Sequence, residues 1–432
     1  MNLLLFVGAG ASVELGVPTM RPMAEAFLLH LCDLSWPRED YSLVEDMLAD
    51  ESNDMEHLID RIDRLRHGMQ EQQAIGMTID EEFVRKLHSI SREAEWFVQH
   101  TCEKVQRVRA ETVWSPTFAN LAENSLCVVT SNYDRAIEIG ARAAGVALND
   151  GFDSAPHAEV AEWRDFTTSA PVLLLKVHGS TDWYQASTGV PIKLKHPIPL
   201  FGDFELRRGS NPALVLRAAL VLPSREKRIT TPPYPSISAS FHHRARTADA
   251  AVFVGTSLRD PHLRSVFDEC ARRIPTALVG RSSAPQIHEK AIHIAQSSSY
   301  FLSSTLPRLL SDPLRFCENL NAERDNTWTG SVIDDLLLAK DVTQPEGFRC
   351  TAIERLLKAK FSMEASVLRG LLNDSSSAIR RFALALVPTS FGDEKLIAFA
   401  EQTAADNQDA DFADEIRVLK ELVSVRADYV EK

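Results

Sequence analysis

Residues 3–12 read LLLFVGAGAS, and the reading of this stretch decides the fold. Leu3 to Val7 are apolar without alternation, which predicts a strand buried on both faces, as in the interior of a parallel sheet. The strand runs straight into Gly8-Ala9-Gly10-Ala11-Ser12, with Gly16-Val17-Pro18 just beyond. Glycines at the C-terminal end of a strand let backbone N–H groups approach a phosphate, and the N-terminus of a following helix favours negative charge. Val13 stands where a Rossmann fingerprint has its third glycine, and no Gly-Lys-Ser/Thr follows. Taken alone, the segment is either a nucleotide loop of another type or a tight turn.

Four more apolar runs share the pattern: Leu126–Thr130, Val172–Val177, Ala250–Gly255 and Thr276–Gly280, with Ala291–Ala295 as a candidate sixth strand. Most are followed by Gly, Ser, Asn or Asp and then by a helical pattern. This is the rhythm of a doubly wound, Rossmann-like α/β sheet. The interval between the first two runs is too long for one crossover. It reads as helices over Met23–Cys32, Tyr41–Asp50, Met55–Gly68 and Ile79–Arg109, with Leu58, Ile59, Ile62 and Leu65 at helical spacing. A helical insertion over about residues 20–125 is therefore expected.

Residues 184–247 are rich in proline and loop signals, and Arg225-Glu226-Lys227-Arg228 reads as a solvated loop. Beyond about residue 300 the strand signal ceases. Thr351–Lys358, Ala365–Leu372, Ala378–Val387 and Glu394–Gln402 are amphipathic, and DSSSAIRR (374–381) opens with helix-capping residues before Phe382, Ala383 and Leu386. This resembles a HEAT-type helical pair. The acidic run Glu401–Glu415 reads as a solvated loop. The expected organisation is an α/β domain over 1–300 and a helical C-terminal domain over 301–432.

Acidic residues outnumber basic ones 60 to 47, a formal net charge of −13, which disfavours direct nucleic-acid binding. No two of the six cysteines lie within four residues, so no zinc knuckle or redox pair is readable, and no metal is expected. The N-terminal apolar run lacks a preceding positive charge and is too short for a signal peptide. No stretch is long enough to be a membrane helix. A cytoplasmic, reducing location is the plain expectation.

Four motifs fall at strand ends: the Gly8–Ser12 turn, Thr130-Ser131-Asn132-Tyr133-Asp134, Lys176-Val177-His178-Gly179-Ser180 and Gly255-Thr256-Ser257-Leu258. In an open parallel sheet the C-terminal strand ends converge on one crevice, where ligands bind. Trp183 and Tyr184 are as well suited to packing as to substrate contact. Asp260 reads as a helix cap, and His242 and His243 as surface residues.

In order, GAGASVELGVP, TSNYD, KVHGSTDW and VGTSLRDP resemble the motifs of the sirtuin fold over about residues 1–295. Gly16, Pro18 and Arg21 match the first sirtuin motif, Asn132 and Asp134 its Asn-x-Asp, and His178-Gly179 its His-Gly. The four-cysteine zinc module and acyl-lysine strand of the protein deacylases have no counterpart here. Asn-Tyr-Asp and His-Gly-Ser-x-x-Trp resemble instead the sirtuin-like NAD hydrolases of bacterial anti-phage defence. That resemblance implies cleavage of NAD, as substrate, to nicotinamide and ADP-ribose. It leaves as alternatives a module that senses NAD or ADP-ribose without cleaving it, and a deacylase or ADP-ribosyltransferase.

The implied chemistry needs an oriented ribose, a placed water and a base. Asn132 suits water and ribose positioning, and His178 suits proton transfer near neutrality. Asp134 would hold the nicotinamide end. Gly8, Ala9, Gly10 and Ser12 would cradle the pyrophosphate, and Gly255, Thr256 and Ser257 would meet the adenosine half. Arg21 matches a position that contacts NAD. Because unrestrained NAD hydrolysis would kill its host, regulation is expected through a homo-oligomer or a partner such as a helicase-like ATPase or an Argonaute-like protein.

Overall fold

The structure is a computed structural model. It describes residues 1–432 apart from 50–53, 76, 122–123, 154–158, 167–169, 199–203, 207–213, 221–230, 281–286, 326–331, 359–360, 362, 364, 388–392, 418 and 421–432. The charged cluster at Arg225–Arg228 lies outside the described residues. Two compact units divide the chain. The first holds Met1–Glu111, Glu123–Gly280 and Ala284–His293; the second holds Thr112–Ala122, Arg281–Ser283 and Ile294–Lys432.

In chain order the strands are β1 (Asn2–Val7), β2 (Ser125–Thr130), β3 (Leu148–Asn149), β4 (Phe152–Asp153), β5 (Val160–Trp163) and β6 (Val172–Lys176). They continue with β7 (Gly179–Ala186), β8 (Pro191–Leu194), β9 (Phe204–Leu206), β10 (Leu214–Leu220), β11 (Ala250–Val254), β12 (Thr276–Val279) and β13 (Ile292–Ile294). All six apolar runs form strands of one seven-stranded sheet, ordered β13-β12-β11-β1-β2-β6-β3. From β12 to β3 every pairing is parallel. Leu3, Leu4, Leu5, Phe6 and Val7 are all buried, as a strand covered on both faces requires.

A second sheet was not legible in the sequence. Six antiparallel strands between residues 152 and 220 pair in the order β4-β5-β8-β7-β10-β9. The reading of residues 184–247 as loop is corrected accordingly: Gly189 lies in the turn between β7 and β8, and Pro191 opens β8. Trp183 and Tyr184 on β7 are both fully buried and serve as core.

The interval between β1 and β2 is helical: α1 (Met20–Asp33), α2 (Arg38–Leu48), α3 (Met55–Ala74), α4 (Glu81–Glu103) and α5 (Arg107–Ala119). The expected helix over 79–109 is two, parted at residues 104–106. Asp54 and Asp80 cap α3 and α4 by accepting from backbone N–H groups in their first turns. Leu58, Ile59 and Ile62 enter the core of this insert with Phe27, Leu87 and Phe97, whereas Leu65 stays exposed. Tyr133, from the turn after β2, belongs to the same core. Two further helices, α6 (Ala136–Ala143) and α7 (Tyr234–Thr247), precede β3 and β11, and α8 (Pro261–Arg273) precedes β12. Asp260 caps α8, accepting from the N–H groups of His262 (2.8 Å) and Leu263 (3.3 Å). His242 and His243 are exposed on α7.

The second unit is helical. Helices Glu346–Lys358, Ala365–Leu372, Ser377–Leu384 and Asp393–Asp406 bury Ile353, Leu368, Ile379, Leu384 and Leu396 together, while Phe382 is exposed. Ser376 caps its helix by accepting from the N–H of Ile379 at 3.2 Å. The acidic run 401–415 is not a loop. Asp393–Asp406 covers its first part, residues 410–417 are helical, and Phe412 is fully buried. Its acids are held by bases elsewhere in the unit: Asp409 by Arg380, Glu415 by Arg381 and Glu401 by Lys420.

Two buried ion pairs repeat one geometry, an arginine near the start of one helix reaching the turn before a later helix. They are Arg349 with Asp374 and Arg380 with Asp409. Burial alone would raise the Asp374 carboxyl. Hydrogen bonds from Arg349 and the Ser376 N–H, with the charges of Arg349 and Arg380, outweigh it and hold that carboxyl below its ordinary range. Hydrogen bonding to Arg380 likewise depresses Asp409. A depressed folded pKa gives stability that is present above the unfolded value, about 3.9, and lost as pH falls through the folded one. The second unit should therefore lose stability below about pH 4. Arg349→Met, which strands a buried carboxylate, should cost about 3 kcal/mol at neutral pH. Calorimetric scans of both proteins from neutral to acid pH check this, and an unchanged transition in the variant would refute it.

Candidate functional site

The site begins with strand order. β11, β1, β2 and β6 are consecutive neighbours and parallel, so the turns after them share one edge of the sheet. Val7 pairs with Thr130 and Val254, and Thr130 with Lys176, which sets the turns level with one another.

The turns are tied directly. Gly8 N–H donates to Val254 O at 2.9 Å, and Gly10 N–H donates to Gly255 O at 2.8 Å. Ala11 and Ser12 N–H groups donate to Gly8 O and Ala9 O. The glycines also have a packing reason. The amides of Gly8 and Gly10 are engaged within the protein, and a Cβ on Gly10 would sit 2.8 Å from Gly255 O. These glycines let two strand-end turns touch. Of the five N–H groups from Gly8 to Ser12, that of Ala9 is without an acceptor among the described residues.

At the β2 end, Thr130 Oγ1 donates to Val7 O (2.9 Å) and accepts from the Asn132 N–H (3.0 Å). The Asn132 amide nitrogen donates to Gly8 O (3.0 Å) and to Ser12 Oγ (2.9 Å). Ser12 Oγ in turn donates to Asp134 Oδ2 (2.7 Å), and Asp134 Oδ1 accepts from the Ala136 N–H (3.0 Å). Gly8 O can only accept, so the amide orientation of Asn132 is determined. Its Oδ1 is buried and has no hydrogen-bond partner among the described residues. Both hydrogens of the amide are spent, so Asn132 offers a ligand an acceptor and no donor. Asp134 has each oxygen occupied, so it acts as a support for Ser12.

His178 follows β6, half-buried, with its ring 6.3 Å from that of Tyr133. Gly179 next to it has φ +87°, and a Cβ there would meet Ala219 O at 2.2 Å, so no other residue fits. At the β11 end, Gly255 is left-handed, Thr256 Oγ1 accepts from the Leu258 N–H (3.2 Å), and Ser257 is exposed. Arg21 lies in the first turn of α1, where it pairs with Glu25 at 3.2 Å.

One contributor escaped the sequence reading. Lys176 Nζ is fully buried and donates to the carbonyls of Tyr133 (3.4 Å) and Asp134 and to Glu138 Oε1 (3.1 Å). It pins the backbone of the turn that carries Asn132. The signal was a lysine ending the otherwise apolar VLLLK of β6. Burial raises the Glu138 carboxyl, and the charges of Lys176 and Lys193 oppose that shift. The Cys127 thiol on β2 is inert by comparison, pushed up to about 12 by burial. Among the described residues no group of three or more His, Cys, Asp or Glu could hold a metal ion.

Residues 126–297 match the family model described as a SIR2-like domain, a span that holds the turns after β2, β6 and β11. No curated protein matches the chain. Similar solved structures include a Sir2 homologue in complex with NAD, at 15% identity over 72% of this chain and 90% of that one, with a TM-score of 0.39. A Sir2 homologue variant in complex with ADP-ribose shows 15% identity over 73% and 93%, with a TM-score of 0.40.

Ser12→Ala would leave both the Asp134 carboxylate and the Asn132 amide short of a partner, and should cost about 1–3 kcal/mol. Gly10→Ala should cost a similar amount, about 1–3 kcal/mol, by forcing the Gly255 turn aside. Denaturant unfolding of the two variants and the parent measures this. Midpoints equal to the parent's would mean the turns are not coupled as described.

Proposed function

We propose that the chain hydrolyses NAD at its nicotinamide–ribose bond, releasing nicotinamide and ADP-ribose. The observation that carries this reading is the unpartnered, buried Oδ1 of Asn132, held in the turn after β2 of a SIR2-like domain, next to the strand β6 that leads into His178. An acceptor without a donor suits a water or a ribose hydroxyl, each of which brings a hydrogen.

In this reading Asn132 Oδ1 accepts a hydrogen bond from the attacking water and aims its oxygen at the anomeric carbon. As the C–N bond breaks, its electron pair returns to the nicotinamide ring nitrogen and cancels the positive charge there, so the leaving group needs no proton. The water oxygen bonds to the anomeric carbon, and His178 takes the released proton, a role suited to an imidazole near neutrality. The Gly8–Ser12 turn would face the pyrophosphate, with the Ala9 N–H as donor, and Thr256 and Ser257 the adenosine half. Arg21 would reach NAD only by leaving Glu25.

Purified protein incubated with NAD should yield nicotinamide and ADP-ribose by chromatography. Asn132→Ala and His178→Ala should each lower turnover by about 10²–10⁴ while leaving the fold intact. Saturable NAD binding without cleavage, persisting in phage-infected cells, would replace this reading with a binding module.

The cellular role that follows is depletion of NAD in anti-phage defence, held in check until infection by self-association or by a partner such as a helicase-like ATPase or an Argonaute-like protein. Light scattering at micromolar concentration should give a mass above that of one chain. A single monodisperse monomer would remove the homo-oligomer from the proposal.

A further inference from the structure

A cavity of about 450 Å³ opens beside α7, lined by Asn149, Phe166, Leu173, Ser240, His243 and Arg244 among others. It lies away from the turns that carry Asn132. α7 runs antiparallel to β6: at its start, Tyr234 Oη donates to Ala219 O (2.7 Å) and stands against Gly179, just past the C-terminal end of β6. Just past its end, the Asp249 N–H donates to Asn2 O (2.9 Å) and its carboxylate accepts from the Asn2 N–H (2.7 Å), at the first residue of β1. His243 and Arg244, near the C-terminal end of α7, are thus at the N-terminal edge of the parallel strands. Leu173 is three residues before Lys176 on β6, a distance of about 10 Å.

The chemistry of the lining is specific. Arg244 is half-buried and has no carboxylate or other hydrogen-bond acceptor for its guanidinium among the described residues. A cation partly removed from water without an anion is an unfavourable arrangement that an anion would relieve. Its planar fork matches the oxygens of a phosphate or carboxylate. Ser240, His243 and Arg244 lie at i, i+3 and i+4 and so share one face of the helix, placing a hydroxyl and an imidazole beside the guanidinium. Opposite them Phe166 and Leu173 supply apolar wall, and the Phe166 ring is held edge-to-face by Trp163 at 5.3 Å and 87°. The volume falls within the range of small-molecule sites, roughly 300–1,000 Å³.

We propose that this cavity is a second ligand site, distinct from the Asn132 crevice, for a small aromatic anion: one planar ring bearing a phosphate or carboxylate. The anion pairs with Arg244 beside Ser240 and His243, and the ring lies against Phe166 and Leu173.

Titration calorimetry of the full chain with phenyl phosphate tests this. Saturable binding is expected, about tenfold or more weaker in Arg244→Gln. Phenol and inorganic phosphate, each carrying half of the ligand, should bind at least about tenfold more weakly than phenyl phosphate. Ala239→Trp, a change at an exposed position on the cavity rim, should block binding, and it decides the matter alone if Arg244→Gln does not fold. Added NAD should leave phenyl phosphate bound. No saturable binding, equal binding by both variants, or displacement by NAD would each overturn the proposal.

Discussion

The Ser12 hydroxyl is the point on which the candidate site rests. It donates to Asp134 and accepts from Asn132, so a turn after β1 and a turn after β2, more than a hundred residues apart, share one hydrogen-bonded relay. All three groups are buried, where a missing partner is costly. The relay also has a direction. Asp134 is a pure acceptor when ionised, so the hydroxyl hydrogen points to it and the oxygen's lone pairs are left for the Asn132 amide. That consumes the donors of Asn132 and presents its carbonyl oxygen. The reactivity offered to a ligand is thus set two residues away from the atom that offers it.

Lys176 does for the backbone what Ser12 does for the side chains. Its ammonium, sealed from solvent, gathers the carbonyls of Tyr133 and Asp134 and the Glu138 carboxylate. A buried ion pair of this kind is poor evidence of net stability, because desolvation of both charges offsets much of their attraction. Its effect is geometric: it fixes the position of a turn that a hydrophobic residue would leave without partners for two carbonyl oxygens.

The parallel sheet was readable because runs such as LLLFV and AAVFV admit no solvent face, and all six such runs became strands of it. The turns were readable because polar and small residues stop those runs abruptly. The second sheet was not. Its strands include two- and three-residue pairings, and β7 buries nearly every residue on both faces, so alternation is absent where it would have signalled antiparallel pairing. Acidic composition misled at 401–415, because the bases that pair with those acids lie 19 to 34 residues away and the helix periodicity there rests on Phe412 and Ile416. The packing role of the first turn's glycines was not legible either, because the atom that a side chain on Gly10 would meet, Gly255 O, belongs to the turn after β11. A sequence shows that a side chain is missing, whereas only the fold shows which atom takes its place.

Tyr133 stands between Asn132 and Asp134 in the chain, yet its ring is buried among Phe27, Leu58 and Phe97 of the helical insert. The residues on either side point into the relay, so the turn is clamped at its middle by one core and at its flanks by another set of atoms. The insert therefore has leverage over the turn. Because close-packed interiors transmit displacement instead of absorbing it, a shift of α1 or α4 against the sheet is felt at Asn132 through one aromatic ring. A change in volume at Phe97 would then alter the site from a distance, with every polar group of the relay still in place.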